Sequence, residues 1–404
     1  MRAGADAPDS GRVKESAPWS YDEAFCRNLG LISPTEQQRL RNSRVAIAGM
    51  GGVGGIDMVA LARMGIGKFT IADPDVFEIR NSNRQYGAMR STNGQAKAEV
   101  MRNIVHDINP EAEIRAFCEP IGKENAATFL EGADVLVDGI DAFEIDLRRL
   151  LYREAQQRGI YALGAGPLGF STAWVVFDPK GMTFDRYFDL SDAMNTVDKF
   201  VAFIAGIAPS ATHRRSIDLS YVDIENRTGP SVGLACHLAS GVVAAEVLKI
   251  LLGHGRVYAA PYFHQFDAYR SIYVRKRLRC GNRHPLQRVK RRLLARYINR
   301  RSAGVIPGLR YHRTASNCIG LTRQRPGNRS FGWSDWPKLS AFDLVNYTKN
   351  SFRPSASTLA GPRAATMGCR PGLLRLKRGC ARCFVGFGIG GCCASCGPWA
   401  CTTR

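Results

Sequence analysis

Between residues 44 and 166 short, mostly apolar runs alternate with stretches of helical pattern. RVAIAG (44–49), KFTIAD (68–73), AEIRAFC (112–118), ADVLVDG (133–139) and IYALGAG (160–166) read as strands. Helices are expected over 53–64, 95–107, 125–130 and 144–158. Strands that lack polar alternation are buried on both faces, and strand–helix alternation is how a chain builds a parallel sheet with helices above and below it. STAWVVF (171–177) is a further strand, 179–229 a long crossover with local helix, and 231–252 a helix closed by Gly253. Alternating aromatic and polar residues over 256–278 suit two closing antiparallel strands. The expected fold is therefore α/β: a Rossmann-like, mostly parallel sheet with helices on both faces and antiparallel strands at its end.

Residues 1–43 form an N-terminal helical segment, with a break near Ser33-Pro34. Residues 44–279 are the sheet domain. From 280 the character changes. RHPLQRVKRRLLARYINRR is consistent with one basic helix, and beyond Ser302 neither a period of two nor one of 3.6 persists. Such a stretch lacks the patterning to bury a core, so 280–404 is expected to be a basic, cysteine-rich tail, disordered or spurious.

Charge follows the same division. From Ser271 onward there are 27 lysines and arginines against two acids, Asp335 and Asp343, while residues 1–270 hold 29 basic and 33 acidic residues. The net charge of +21 thus belongs to the tail. Residues 1–270 also hold only three scattered cysteines, Cys26, Cys118 and Cys236, and the first twenty residues contain no apolar leader. A cytoplasmic protein without a disulfide framework is expected. The uncharged run 228–245 reads as a buried helix rather than a membrane span.

The first chemical signal is Gly49-Met50-Gly51-Gly52-Val53-Gly54, between a strand and a helix. There the backbone N–H groups of a tight turn and a helix N-terminus can hold phosphate. Strand two ends at Asp73, positioned for ribose hydroxyls. These two features indicate a nucleotide without separating NAD from ATP. The segment ADPDVFEIRNSNRQYGA (72–88) then supplies Asn81, Arg84 and Gln85, GQAK places Lys97 at a helix start, and DGID adds Asp138 and Asp141. A triphosphate needs cations and a metal, and Arg84, Lys97 and an Asp141 carboxylate for Mg²⁺ can meet that need. Alone, Lys97 reads as a solvated helix residue and Asp141 as a helix cap. Their order along one sheet edge changes the weighting.

Residues 24–278 resemble the ThiF/MoeB-type, ubiquitin-activating-like adenylating enzymes. The resemblance rests on SRVAIAGMGGVGG, Asp73, NSNRQ, GQAK and DGID, in that order. It implies an ATP-dependent adenylyltransferase that turns a carboxylate into an acyl-adenylate and releases pyrophosphate. The implied acceptor is the C-terminal glycine of a ubiquitin-like or sulfur-carrier protein or peptide. By the same resemblance Gly49, Gly51, Gly52 and Gly54 face the phosphates and Asp73 holds the ribose. Asn81, Arg84 and Gln85 belong to the nucleotide site, Lys97 meets the α-phosphate and Asp141 ligates Mg²⁺. Arg27 is the candidate arginine supplied across a homodimer.

Two departures matter. Only Cys236 occurs between residues 119 and 279, so the zinc that many members bind through two CxxC pairs is not expected in the core domain. Cys380–Cys383 and Cys393–Cys396 have ligand spacing but lie in the unpatterned tail. No cysteine lies between Cys118 and Cys236 to carry a thioester, and Cys236 itself reads as core. A rival within the family is adenylation of a tRNA carboxylate, as in threonylcarbamoyladenosine dehydratases. NSNRQ, AKAEVM and INPE resemble that branch, while the near-neutral charge of 1–270 speaks against tRNA. An NAD-binding oxidoreductase accounts for the glycines and Asp73 but leaves Arg84, Lys97 and Asp141 idle. A non-catalytic nucleotide sensor is the remaining alternative.

Overall fold

The structure, a computed structural model, describes residues 18–302 apart from Glu225. They lie in the first of the two units into which the chain divides, Met1–Leu344. The cysteine pairs at 380–383 and 393–396, and all that was expected of 303–404, fall outside the described residues.

The chain enters through α1 (Tyr21–Ala24) and α2 (Pro34–Asn42), then alternates through β1 (Arg44–Ala48), α3 (Gly54–Arg63), β2 (Lys68–Ala72), α4 (Lys97–Ile108) and β3 (Glu113–Phe117). It continues through α5 (Ala126–Phe129), β4 (Val135–Asp138), α6 (Ile145–Gln157), β5 (Tyr161–Leu168) and β6 (Ser171–Phe177). After α7 (Phe184–Phe188), α8 (Thr196–Ile207) and α9 (Gly233–Leu252) it closes with β7 (Tyr262–Asp267), β8 (Ile272–Arg277) and α10 (Pro285–Ser302). The break before α2 has a local cause. The Ser33 hydroxyl accepts from the Glu36 amide at 3.3 Å, and the Ser33 amide donates to the Glu36 carboxylate at 2.7 Å. This reciprocal pair, followed by proline at the first helical position, starts a helix.

One eight-stranded sheet runs in the order β3-β2-β1-β4-β5-β6-β7-β8. The first five strands of that order are parallel, and β6, β7 and β8 join antiparallel. Strand β1 is buried along its whole length and divides its side chains between two cores. Val45 and Ile47 pack with α3, α4 and α9 on one face, and Ala46 and Ala48 with α5, α6, α7 and α8 on the other. The mostly parallel sheet with helices on both faces is therefore as expected. Helix α9 is long and apolar enough to cross a membrane by length and composition, but half of it is buried against the sheet and α3. It ends on Gly253 at φ +73°, a left-handed stop that glycine takes without steric cost.

One expectation holds and one needs correction. The crossover 179–229 is loop with local helix, as expected. It contains α8, capped by the Asn195 side chain, with Phe200, Val201, Ala202, Phe203 and Ile207 buried. So many adjacent apolar positions hide the helical period. The boundary at 279/280 needs the correction, because it falls inside packed structure. Asn282 is fully buried and donates to the Phe188 and Ala202 carbonyls at 2.9 and 2.7 Å, and Arg291 pairs with Asp189 at 2.7 Å. Residues 280–302 belong to the domain.

Asp57, in the first turn of α3, is fully buried, and neither carboxylate oxygen has a hydrogen-bond partner among the described residues. Burial pushes its carboxyl well above the usual range; the nearby Ser240 hydroxyl opposes this and the Asp138 charge adds to it. Folded protein then keeps a proton that unfolded chain loses above about pH 4. The contribution of Asp57 to stability should be greatest below that pH and fall as pH rises toward the raised value. Asp57→Asn should flatten the fall, read as urea midpoints across pH. Parallel curves for the two proteins would contradict this.

Candidate active site

Strands β1 and β4 are neighbours, yet the chain leaves β1 toward β2 on one side and reaches β4 on the other. Where strand order reverses, the loops at the carboxyl edge diverge and leave a crevice. A cavity of about 2060 Å³ opens there. Its first wall is the turn after β1. Gly49 has φ +90°, and a Cβ on it would lie 2.4 Å from the Gly139 carbonyl oxygen. A Cβ on Gly54 would lie 1.9 Å from the Gly49 oxygen. The turn after β1 and the end of β4 thus meet backbone to backbone, which only glycine allows. Gly49, Gly51 and Gly52 line the cavity. Gly54 is not among the lining residues; it is wedged between Gly49 and Gly139, so packing is what it serves here.

Asp73 is buried at the end of β2 and lines the cavity. Its carboxylate accepts from the Met50 amide at 2.7 Å and the Asp75 amide at 2.9 Å, which ties the glycine turn to β2. Burial raises its pKa, and the Lys97 ammonium 3.9 Å away is the chief opposing influence. Lys97, the first residue of α4, bonds to Asp75 at 2.8 Å and is itself buried. It lies behind the two aspartates rather than among the lining residues. The structure therefore does not present Lys97 as the open cation expected at the helix start.

Asn81, Arg84 and Gln85 form the next wall. Asn81 accepts from the Glu78 amide at 2.9 Å. Arg84 bonds to the Arg80 carbonyl and to Asn83, and Asn83 donates to the Ser231 carbonyl at 2.9 Å, joining this wall to the segment before α9. The Gln85 side-chain oxygen is buried without a partner among the described residues. Cys236 is buried as expected, but it also lines the cavity, with its sulfur 3.2 Å from where a Cβ on Gly52 would sit. Burial pushes its thiol up to about 11, so it is neutral near pH 7.

The fourth wall is DGID. Asp138 is buried and accepts from Arg148 at 2.8 Å, from the Tyr152 hydroxyl at 3.2 Å and from the Ile140 amide at 3.0 Å. Arg148 also bonds to the carbonyls of Ile140 and Asp141, the latter at 2.6 Å, and so holds the turn from three points. Asp141 is exposed and lines the cavity; one of its oxygens accepts from the Phe143 amide at 2.9 Å. Among the described residues no three His, Cys, Asp or Glu side chains are grouped to hold a metal. One exposed carboxylate on the same cavity as the glycine turn nevertheless fits Mg²⁺, which takes most of its ligands from phosphate and water.

The crossover covers the remaining side. Residues 219–224 and 226–230 line the cavity, Asp223 and Thr228 pair through their backbones, and Arg227 forms an ion pair with Glu144. Arg27 is exposed in a short turn whose neighbour Asn28 donates to the Met64 carbonyl, just past the end of α3. Helix α3 begins at the glycine turn and spans ten residues, about 15 Å. Arg27 therefore sits at the far end of that helix from its own crevice.

Arg148 and the cavity role of Cys236 escaped the sequence reading. The spacing of Arg148 from Asp138 does put it on the next helix, but nothing local marks it as buried.

A model of the ThiF family matches residues 25–289. The chain is 34% identical over 146 residues to the tRNA threonylcarbamoyladenosine dehydratase of Haemophilus influenzae, covering 36% of this chain and 56% of that protein. It is 29% identical over 179 residues to the SAMP-activating enzyme E1 of Haloferax volcanii, covering 44% and 66%. It is also 34% identical over 275 residues to the "Probable adenylyltransferase/sulfurtransferase MoeZ" of Mycobacterium tuberculosis, covering 65% and 63%. The chain thus spans between about half and two thirds of these curated relatives.

Proposed function

The chain belongs to the ThiF family, whose model matches more than half of it, and we propose that its site uses ATP to adenylate a carboxylate. A carboxylate oxygen attacks the α-phosphorus, the bond from that phosphorus to the bridging oxygen of the β-phosphate breaks, and pyrophosphate leaves. The observation that supports this reading is the meeting of Gly49 with Gly139, which brings the glycine turn and the exposed Asp141 carboxylate to one cavity. The orphaned Gln85 oxygen and the adjacent Arg84 support it, because an oxidoreductase has no need of this set.

In this reading Gly49, Gly51, Gly52 and the start of α3 receive the phosphates. Asp73 takes the ribose, and Asn81, Arg84 and Gln85 complete the nucleotide wall. Lys97 exchanges Asp75 for the α-phosphate. Asp141 would hold Mg²⁺, which when bound offsets phosphate charge and orients the leaving group. Arg27 can act only from a second copy, so the proposal includes a homodimer. The acceptor is the C-terminal carboxylate of a small carrier protein or peptide, in keeping with the relatives named for SAMP activation and for adenylyl and sulfur transfer. A second reading, a carboxylate on a modified tRNA base, is favoured by the relative named for that dehydration.

ATP–pyrophosphate exchange tests the chemistry. Exchange should appear only with a carboxylate acceptor, and a peptide ending in Gly-Gly should be compared with threonylcarbamoylated tRNA. ATP with Mg²⁺ should raise the melting temperature and NAD(H) should leave it unchanged, since a ligand stabilises only the state it binds. Stabilisation by NAD(H) without an ATP effect would overturn the proposal.

A further inference from the structure

The cavity is larger than its nucleotide walls require. Its volume of about 2060 Å³ is twice the roughly 1000 Å³ at the upper end of pockets for one small ligand. It extends beyond Asp141 to α8 and α10, which pack against each other. On α8 the lining residues are Phe200, Phe203, Ile204 and Ile207. That spacing puts them on one face of the helix. Helix α10 adds Leu294 and Tyr297, which also share a face. An apolar helix face is ordinarily closed against protein, and these two open in part onto the cavity. The match to the ThiF family ends at residue 289, so this part of the α10 wall lies beyond it.

Two contacts join this apolar end to the DGID wall. Phe143, whose amide donates to Asp141, stacks on Phe200 with ring centroids 4.7 Å apart and planes 5° apart. The Arg148 guanidinium, bonded to Asp138, lies 4.7 Å over the Phe203 ring. A carboxylate that reaches an α-phosphate beside Asp141 therefore brings its own substituent close to aromatic rings. In an amino acid the side chain begins one carbon from the carboxyl group. A terminal glycine leaves the rings bare, whereas a planar apolar side chain covers them and gains ring-to-ring contact as well as burial.

We infer that the α8–α10 end of the cavity is the acceptor subsite and takes a bulky aromatic side chain on the terminal residue of the carboxylate substrate. This rests on the adenylation reading and puts a larger residue where the family resemblance implies a terminal glycine.

The test uses the full chain and short peptides that differ only in ending on Gly, Leu, Phe or Trp, with dodecanoate as an aliphatic carboxylate. Binding is read by calorimetry without ATP, and KM by ATP–pyrophosphate exchange. Peptides ending in Phe or Trp should show Kd and KM values about tenfold or more below the Gly-ending peptide, the gain expected from burying one large apolar side chain. Leu294→Trp, which fills the space, should cut that preference about tenfold, toward none. Leu286→Trp, at an exposed position of the same helix that does not line the cavity, should keep the wild-type preference. Leu294→Ala should move the preference from Phe toward Trp, and it replaces the larger variant if circular dichroism shows that one misfolded. A preference in binding with no exchange from any peptide would uphold the subsite and end the adenylation reading. Exchange at equal KM with Gly- and Phe-ending peptides, tighter binding of dodecanoate than of any peptide, or equal effects of Leu294→Trp and Leu286→Trp would overturn the inference and leave adenylation standing. Neither binding nor exchange with any peptide would overturn it too.

Discussion

Asp141→Ala is expected to lower pyrophosphate exchange about a hundredfold or more while leaving the fold nearly intact. The magnitude follows from losing one preorganised group that acts on charge developing in the transition state, about 3 kcal/mol. The fold should hold because Asp141 is exposed and its side chain is bonded only to the Phe143 amide among the described residues. Lys97→Ala should lose as much exchange but not as cleanly. Its ammonium lies between Asp73 and Asp75 at 3.9 and 2.8 Å. Removing it leaves buried Asp73 without its chief opposing charge, so the Asp73 carboxyl should rise further and the melting temperature should fall. Exchange per folded molecule, with circular dichroism as control, separates the two effects. If both folded variants exchange at the wild-type rate, the site assignment is wrong and the family resemblance is one of fold without this chemistry.

Arg148→Met should cause the largest loss of stability. Arg148 and Asp138 are both buried, bonded at 2.8 Å, and breaking such a pair from one side costs about 3–5 kcal/mol because the remaining charge has no solvent. The same arginine holds the Ile140 and Asp141 carbonyls, so the turn that carries Asp141 should loosen and exchange should fall with it. Adding Asp138→Asn should recover part of the stability, since it removes the stranded charge, but not the exchange. Chemical denaturation of the single and double variants reads the coupling. A single variant as stable as wild type, or a double variant that loses the full sum of both changes, would contradict this account.

The alternation of strands and helices was readable because it is written in local periods. Val45 and Ile47 face one core and Ala46 and Ala48 the other, and a run with no polar alternation is what such a strand requires. The turn at Gly49 was readable for a similar reason: a positive φ and a close backbone approach leave only glycine. Helix α8 was not, because too many of its residues are apolar for a period to show. Lys97 illustrates a different limit. Its position at a helix start is a local fact, but its engagement with Asp75 depends on where a loop twenty-two residues away comes to rest.

What the amino-acid sequence determined by itself was the set of elements, the parallel character of the sheet, and the chemical types gathered at its carboxyl edge. Each of these depends on neighbours within a few residues, where backbone sterics and hydrophobic period act directly. Only the tertiary structure decided that Arg148 locks Asp138, that Cys236 borders the cavity, that Asp57 is buried, and that residues 280–302 join the domain. These depend on burial and on contacts between distant segments. An arginine, a cysteine or an aspartate has the same letter in water as in a core, and only packing fixes the dielectric and the partners that set its charge.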